Sequence, residues 1–286
     1  MRPYGNTVRG LSVSIAVLFV LLTSLQSRAE QPAGNDKTKA ALQNVIAGPH
    51  RSESNKSRDV YRHPLETLTW FGITEDMTVV EIWPGGGWYT EILAPFLKER
   101  GKYYAVGVDS ASETPRIRES AQRFKDKLAA NAELYSAVIV TALAPPKKIE
   151  IAPADSADMI LTFRNVHSWM GAGVAEDVFV AMYRALKPGG ILGVVAHRGD
   201  TATPQDPKAA SGYVTEEHVI TLAEAAGFQL VDRSDINANP KDTKDYPDGV
   251  WTLPPVLRKG EVDREKYLAI GESDRMTLKF TKPAAS

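Results

Sequence analysis

Val79-Val80-Glu81-Ile82-Trp83-Pro84-Gly85-Gly86-Gly87-Trp88-Tyr89-Thr90 carries the reading of the whole chain. An apolar strand closes on an acidic residue, and a glycine-rich turn then opens a helix. Glycines let backbone pass close to a ligand at positive φ, and the first turn of a helix offers unpaired N–H groups. A second acid, Asp109, stands 22 residues beyond Gly87 at the end of the next apolar run, Tyr103 to Val108. That spacing suits a carboxylate accepting the hydroxyls of a ribose. Acid, glycine turn and second acid together point to nucleoside binding. A dinucleotide fingerprint would repeat glycine at G-x-G-x-x-G, and the third position is occupied by Thr90.

Outward from this stretch, short apolar runs alternate with amphipathic segments. Strands are expected at Met77–Trp83, Tyr103–Val108, Ala137–Thr141 (short and buried), Met159–Phe163, Ile191–Ala196, Phe228–Val231 and Met276–Phe280. Helices are expected at Trp88–Arg100, Pro115–Ala130, Val174–Leu186 and Glu216–Ala226. Two further helices precede the first strand, at Lys37–Ala47 and near Val60–Phe71. The pattern predicts an α/β fold, a doubly wound and mostly parallel sheet covered on both faces. Such sheets bind ligands at the carboxyl ends of their strands. Two long loops, Gly199–Gly212 and Asn237 to about Leu257, exceed what connection requires.

The matches continue in order along the chain. Asp158 opens the fourth strand within Asp155-Ser156-Ala157-Asp158-Met159-Ile160-Leu161, and Leu186-Lys187-Pro188-Gly189-Gly190 precedes the fifth. With Glu81 to Gly87 and Asp109, these segments resemble the class I S-adenosylmethionine-dependent methyltransferases over residues 77–197. The chain is most similar to a group of exported methyltransferases with the sequence Glu-x-x-Pro-Gly-Gly-Gly-Trp-Tyr-Thr. The resemblance implies a Rossmann-like sheet of seven strands, the last antiparallel, and S-adenosyl-L-methionine as cofactor. It places Glu81, Gly85, Gly86 and Gly87 at the cofactor and Asp109 on its ribose. The family commonly has glycine where this chain has Trp83; that ring could stack on the cofactor, obstruct it, or simply pack the sheet edge.

The acceptor side is read from two strand ends. Phe163-Arg164-Asn165-Val166-His167-Ser168-Trp169 follows the fourth strand, and His197-Arg198 closes the fifth. His167 is the expected general base, near neutrality, with Asn165 orienting the acceptor and His197 beside them. Arg58, Tyr61, Arg62 and His63 belong to helices that could close over the site, or could form surface ion pairs. His50 and His218 read as solvated. His63, His167 and His197 could converge on zinc, although no metal-binding spacing is present and no metal is expected. The tryptophans Trp70, Trp83, Trp88, Trp169 and Trp251 suggest an aromatic-lined cleft.

Composition bounds the rest. The 286 residues are 43% hydrophobic and 24% charged with a net charge of -1, which gives no electrostatic case for nucleic acid. No cysteine is present, excluding disulfides, thiolate metal sites and a thiol nucleophile. Arg2 and Arg9, the apolar run Leu11–Leu25 and Ser27-Arg28-Ala29 read as a secretory signal peptide cleaved after Ala29. Its apolar stretch is shorter than the ~20 residues of a membrane-spanning helix. The expected organisation is a signal peptide over 1–29, linker and lid helices over 30–72, and the α/β domain over 73–286. Removal of the signal takes three arginines with it and leaves a mildly acidic chain. The chain is expected to be exported, periplasmic in a Gram-negative cell, without stable membrane insertion, and to act on a small molecule. Two other readings are a methyltransferase-fold binding protein without transfer activity and a nicotinamide-dependent oxidoreductase.

Overall fold

The computed structural model describes residues 33–284, besides the isolated Met1 and Gly5. The expected signal peptide lies outside the described residues. None of the described helices is long and apolar enough to cross a membrane.

Seven strands form one sheet: β1 (Thr78–Ile82), β2 (Lys102–Gly107), β3 (Val138–Ala142), β4 (Ala157–Phe163), β5 (Leu186–His197), β6 (Gln229–Ser234) and β7 (Arg275–Thr281). Their order is β3-β2-β1-β4-β5-β7-β6. β1 to β5 run parallel, and β7 is antiparallel to both β5 and β6. The chain thus switches direction across the sheet between β1 and β4, and the loops leaving those two strands face one crevice. Crevices of this kind at the carboxyl ends of strands are where open α/β sheets hold ligands.

Among the described residues, eleven α-helices accompany the strands. Four precede the sheet: α1 (Ala33–Ala47), α2 (Glu53–Lys56), α3 (Asp59–Arg62) and α4 (Pro64–Phe71). Between strands lie α5 (Thr90–Leu97), α6 (Pro115–Ala129), α7 (Ala132–Tyr135), α8 (Val166–Ala172), α9 (Ala175–Ala185), α10 (Glu216–Ala225) and α11 (Arg264–Ile270). The central strands are apolar on both sides because both faces are covered. Val80, Ile82 and Ile160 join Trp169 and Phe179 in one buried cluster. Val79, Met159 and Leu161 join Ile92, Leu93 and Phe71 in the other. Burying each such aliphatic side chain stabilises the fold by about 1.5–3 kcal/mol. Within β1, Glu81 is the exception, a carboxyl carried into the buried face by the strand's alternation.

Several elements depart from the sequence expectation. The strand expected to be short and buried, β3, is an edge strand, and Ile139 and Val140 are 38% and 43% exposed. With a partner on one side only, its apolar residues are not enclosed. The helix expected near Val60–Phe71 is broken into α3 and α4, because His63 takes a left-handed conformation (φ 40°) ahead of Pro64. Proline disfavours helical backbone in the residue before it, and Pro64 then starts the new helix. The expected linker ends early, since α1 begins at Ala33. Lys187-Pro188-Gly189-Gly190 lies inside β5 as an irregularity, where Leu186 pairs with Ala157 but Ile191 with Met159. Lys187 Nζ lies 2.6 Å from Asp158 Oδ1, and the Thr78 amide donates to Asp158 Oδ2 at 2.8 Å. Those two motif segments therefore brace the opening end of the sheet, away from the crevice.

Candidate functional site

The crevice at the ends of β1 and β4 is built on two unusual backbone positions. Trp83, directly after β1, has φ 49°, and Arg164, directly after β4, has φ 64°. Left-handed backbone is costly for large side chains and tends to persist where surrounding contacts impose it, commonly at functional sites. The contacts are present: the Trp83 amide donates to Val106 O at 2.8 Å and the Arg164 amide to Val195 O at 2.6 Å. Asn165 ties the two turns together, its amide nitrogen lying 2.8 Å from Ile82 O, 3.3 Å from Trp83 O and 3.2 Å from Thr162 Oγ1. The amide nitrogen of Asn165 thus positions the glycine loop, and the residue lies in the wall of the crevice where an acceptor was expected.

Two cavities open from the crevice, and their walls share Trp83, Pro84, Gly85 and Asn165. One, of about 410 Å³, lies toward β2, β3 and α6, with Gly107, Val108, Ala121, Phe124 and Ala142 in its wall. The other, of about 370 Å³, lies toward β4 and β5, walled by residues from α2, α3, the turn ahead of α5, the ends of β4 and β5 and the late loop. Volumes of this size are typical of small-molecule sites. The Trp83 indole is the partition. Its Nε1 donates to Leu143 O at 3.3 Å and its ring meets Trp169 edge-on at 6.1 Å.

Glycine has a distinct reason at each turn position. Gly85 has φ 58°, and a Cβ there or at Gly86 would meet no atom within 4 Å, so this backbone is bare toward the crevice. Gly87 has φ 76°, but a Cβ would approach Lys127 Cε to 2.9 Å, and the residue lies in neither cavity wall. Its backbone packs closely against α6. Asp109 likewise lies in neither wall; its Oδ1 is 2.6 Å from Lys148 Nζ and accepts from the Ala111 amide at 2.9 Å. Lys148 is the first cause of a carboxyl held below its ordinary range. Glu81 borders the β4–β5 cavity and is 2% exposed. Burial pushes its carboxyl up to about 7, although it accepts hydrogen bonds from Tyr103 and Thr90 that oppose the rise.

His167 and His197 do meet, with ring centroids 5.4 Å apart in the wall of the β4–β5 cavity. The expected base near neutrality is corrected. Burial first, and the Arg164 guanidinium second, lower His167 to about 4. His197 is also held well below its ordinary range, by burial first and then by His167 and Arg275, and its Nδ1 lies 2.5 Å from Ser273 Oγ. Both imidazoles are neutral at pH 7: they can accept a hydrogen bond but hold a proton weakly. His63 stands apart at the α3–α4 junction and lies in neither cavity wall. Among the described residues no cluster of three metal-ligating side chains exists, so the three-histidine zinc alternative is not formed. His50, expected to be solvated, is half-buried with its Nε2 2.8 Å from Glu91 O; His218 is also half-buried.

Of the N-terminal candidates, Arg58 and Arg62 line the β4–β5 cavity, whereas Tyr61 packs near Gly271. Their ion pairs are not at the surface. Arg58 Nε lies 2.6 Å and Arg62 Nε 3.2 Å from the two oxygens of Glu272, and Arg275 Nη2 lies 2.5 Å from the second. Burial raises the Glu272 carboxyl, but the guanidiniums of Arg275, Arg62, Arg164 and Arg58 together outweigh it and hold the group at about 2. Of the tryptophans, Trp83, Trp88 and Trp251 line the cavity, Trp169 is enclosed in the core, and Trp70 packs on Phe71. The late loop is structured, with a 3-10 turn at Gly249–Thr252 placing Trp251 5.7 Å from His167. Sequence reasoning missed Arg164, Glu272, Ser273 and Arg275. The one local signal for Arg164 was its place between the fourth strand and the candidate Asn165.

No protein-family model matches the chain, and no curated protein sequence does. Among solved structures, a SAM dependent methyltransferase from Aquifex aeolicus is similar with a TM-score of 0.52 at 17% identity, over 85% of this chain and 98% of that one. The [4+2]-cyclase SpnF is similar with a TM-score of 0.50 at 14% identity, over 87% of this chain and 94% of that one. Phosphoethanolamine N-methyltransferase 2 of Haemonchus contortus, solved with S-adenosyl-L-methionine, is similar with a TM-score of 0.50 at 16% identity, over 87% of this chain and 57% of that one. At these identities the likeness is one of fold. The chain has the Rossmann-like, seven-stranded α/β architecture of these proteins, with its antiparallel seventh strand.

Proposed function

We propose that the protein is an exported S-adenosylmethionine-dependent methyltransferase acting on a small molecule. One observation carries the reading: the bare backbone of Gly85 and Gly86 lies at the junction of two cavities that share a wall. An elongated ligand with a nucleoside at one end and an amino acid at the other fits that outline. The apolar cavity beside Phe124 and Ala142 suits the base, and the polar one suits the amino-acid end. Ribose would take Asp109 in exchange for Lys148. The residues present fit the cofactor, whose contribution is an electrophilic methyl group on a sulfonium.

The chain's own side chains do the rest. Gly85 and Gly86 admit the ligand's chain, and Asn165 fixes the loop that carries them. Trp83, Trp88 and Trp251 exclude water from the region where an acceptor would lie, and they offer ring faces to a cation. His167 and His197, uncharged, accept hydrogen bonds from the acceptor. Positioning and exclusion of water therefore supply most of the acceleration, with little from proton removal.

A binding protein without transfer activity is the second reading. Trp83 favours it, because the partition of the crevice stands where the family commonly has glycine. Fold alone does not fix the chemistry, as the cyclase shows. Calorimetric titration of the chain lacking residues 1–29 with S-adenosylmethionine, S-adenosylhomocysteine and NAD tests the first step. The first two should bind and NAD should not; failure of both removes the methyltransferase reading, and NAD binding alone points to the oxidoreductase. Transfer of labelled methyl groups into a metabolite pool then separates enzyme from binding protein. Asp109→Ala should weaken S-adenosylhomocysteine about tenfold or more, by loss of the ribose acceptor. Export is tested by cell fractionation with N-terminal sequencing, which should begin at Glu30.

A further inference from the structure

The β4–β5 cavity holds more positive charge than its own carboxylates can balance. Arg58, Arg62 and Arg164 lie in its wall, and Arg275 stands behind them, 1% exposed. They surround one ionised carboxylate, Glu272. The other acid in the wall, Glu81, is engaged by Tyr103 and Thr90.

The donors of this cluster are only partly used. Arg58 and Arg62 each reach Glu272 through Nε, leaving their terminal N–H groups. Arg62 is 3% exposed and its Nη1 is buried with no hydrogen-bond partner. Among the described residues, the Arg164 guanidinium makes no hydrogen bond or ion pair with any other residue. A buried donor without an acceptor is costly, more so when charged, so this geometry is favourable when an acceptor arrives. The guanidiniums also repel one another. Arg164 is lowered to about 10 by burial and by Arg275, and Arg62 falls by burial and by Arg164. Planar forks with free parallel N–H groups match the oxygens of a carboxylate or phosphate.

We propose that the β4–β5 cavity is an oxyanion site, and that the acceptor of this protein is a small molecule bearing a carboxylate or phosphate held by Arg58, Arg62 and Arg164 beside His167 and Trp251. As a statement about the acceptor it rests on the methyltransferase reading; as a statement about binding it does not. The amino-acid end of S-adenosylmethionine carries one carboxylate, with an ammonium and a sulfonium of opposite sign. It therefore leaves the cluster's surplus unbalanced, whereas an anionic acceptor offsets it. Neutral, weakly basic His167 and His197 suit an acceptor that arrives already ionised.

The test is calorimetry at low salt with benzoate and inorganic phosphate, on the chain lacking residues 1–29, alone and saturated with S-adenosylhomocysteine. At least one anion should bind the saturated protein. Arg164→Gln should weaken it about tenfold or more. If Arg164→Gln does not fold, Arg58→Gln, a partly exposed position, serves in its place. Exposed Arg123→Gln should change nothing. Three results overturn the assignment: no binding of either anion, binding that the arginine variants leave intact, or competition between the anion and S-adenosylhomocysteine. Competition would assign the cluster to the donor's own carboxylate. If S-adenosylhomocysteine fails to bind while the anion binds and responds to Arg164→Gln, the oxyanion site stands and the methyl-transfer reading falls.

Discussion

The two cavities on either side of Trp83 share a wall and differ in kind. Toward β2 and β3 the lining is backbone and mostly small or apolar side chains, with Lys125 the one charged residue among those described. Toward β4 and β5 it is guanidinium, carboxyl and imidazole, with aromatic rings between. The first is made by neighbours in the sheet, through strand ends and the face of α6. The second is made by convergence, since Arg58 and Glu272 are 214 residues apart. One end of the crevice thus follows from the fold, whereas the other was added to it by the N-terminal helices, the late loop and the start of β7.

The largest expected effect is on the convergent end. Glu272→Gln leaves Arg58, Arg62 and Arg275 without their shared carboxylate, and should lower stability in urea by about 3–5 kcal/mol. A loss below 1 kcal/mol would mean the arginines are solvated and the contrast between the two ends is overstated.

Next come two opposite pH effects, each of order 3 kcal/mol. Glu81 binds its proton more tightly folded than unfolded, so its contribution is greatest below about 4.5 and is lost as pH rises to about 7. Stability of Glu81→Gln relative to the natural chain should therefore increase across that window. His167 binds its proton less tightly folded, so its contribution is present above about 6.5 and is lost as pH falls to about 4. His167→Gln should therefore gain on the natural chain as pH falls. Denaturation curves of the two variants at several pH values check both slopes, and parallel curves would contradict the burial of these groups.

Trp83→Gly merges the two cavities. Loss of the ring's contacts with Trp169 and Leu143 outweighs relief of its left-handed backbone, for a net loss of about 2 kcal/mol by thermal or urea unfolding. The smallest effect belongs to the other end. Exposed Lys125→Ala should alter stability by no more than about 0.5 kcal/mol and S-adenosylhomocysteine affinity less than about twofold. A large change there would show that charge matters on both sides of the partition.

The same division explains what was legible in the sequence. β1, β2, β4 and β5 announced themselves because strands buried on both faces are continuous apolar runs, and Glu81, Asn165, His167 and His197 were found by reading the strand ends. β3 carries the same apolar residues but lies at an edge, and nothing in five residues says that a strand lacks a second neighbour. Asp109 was read by spacing, which gives a strand end but not the Lys148 that meets it. Arg58 and Arg62 were noticed, but their partner Glu272 lies beyond a loop that local periodicity does not describe. The depressed histidines could not be read either, since their state depends on burial and on Arg164, both products of tertiary structure.

The partition itself has an optical consequence. Among the described residues, Trp83 is the only aromatic ring in the wall of both cavities. Indole emission follows the polarity around the ring, so ligands entering from opposite sides would be recorded by one fluorophore. Trp83→Phe would silence the signal from the β2–β3 side and leave only Trp88 and Trp251 to report a ligand on the β4–β5 side.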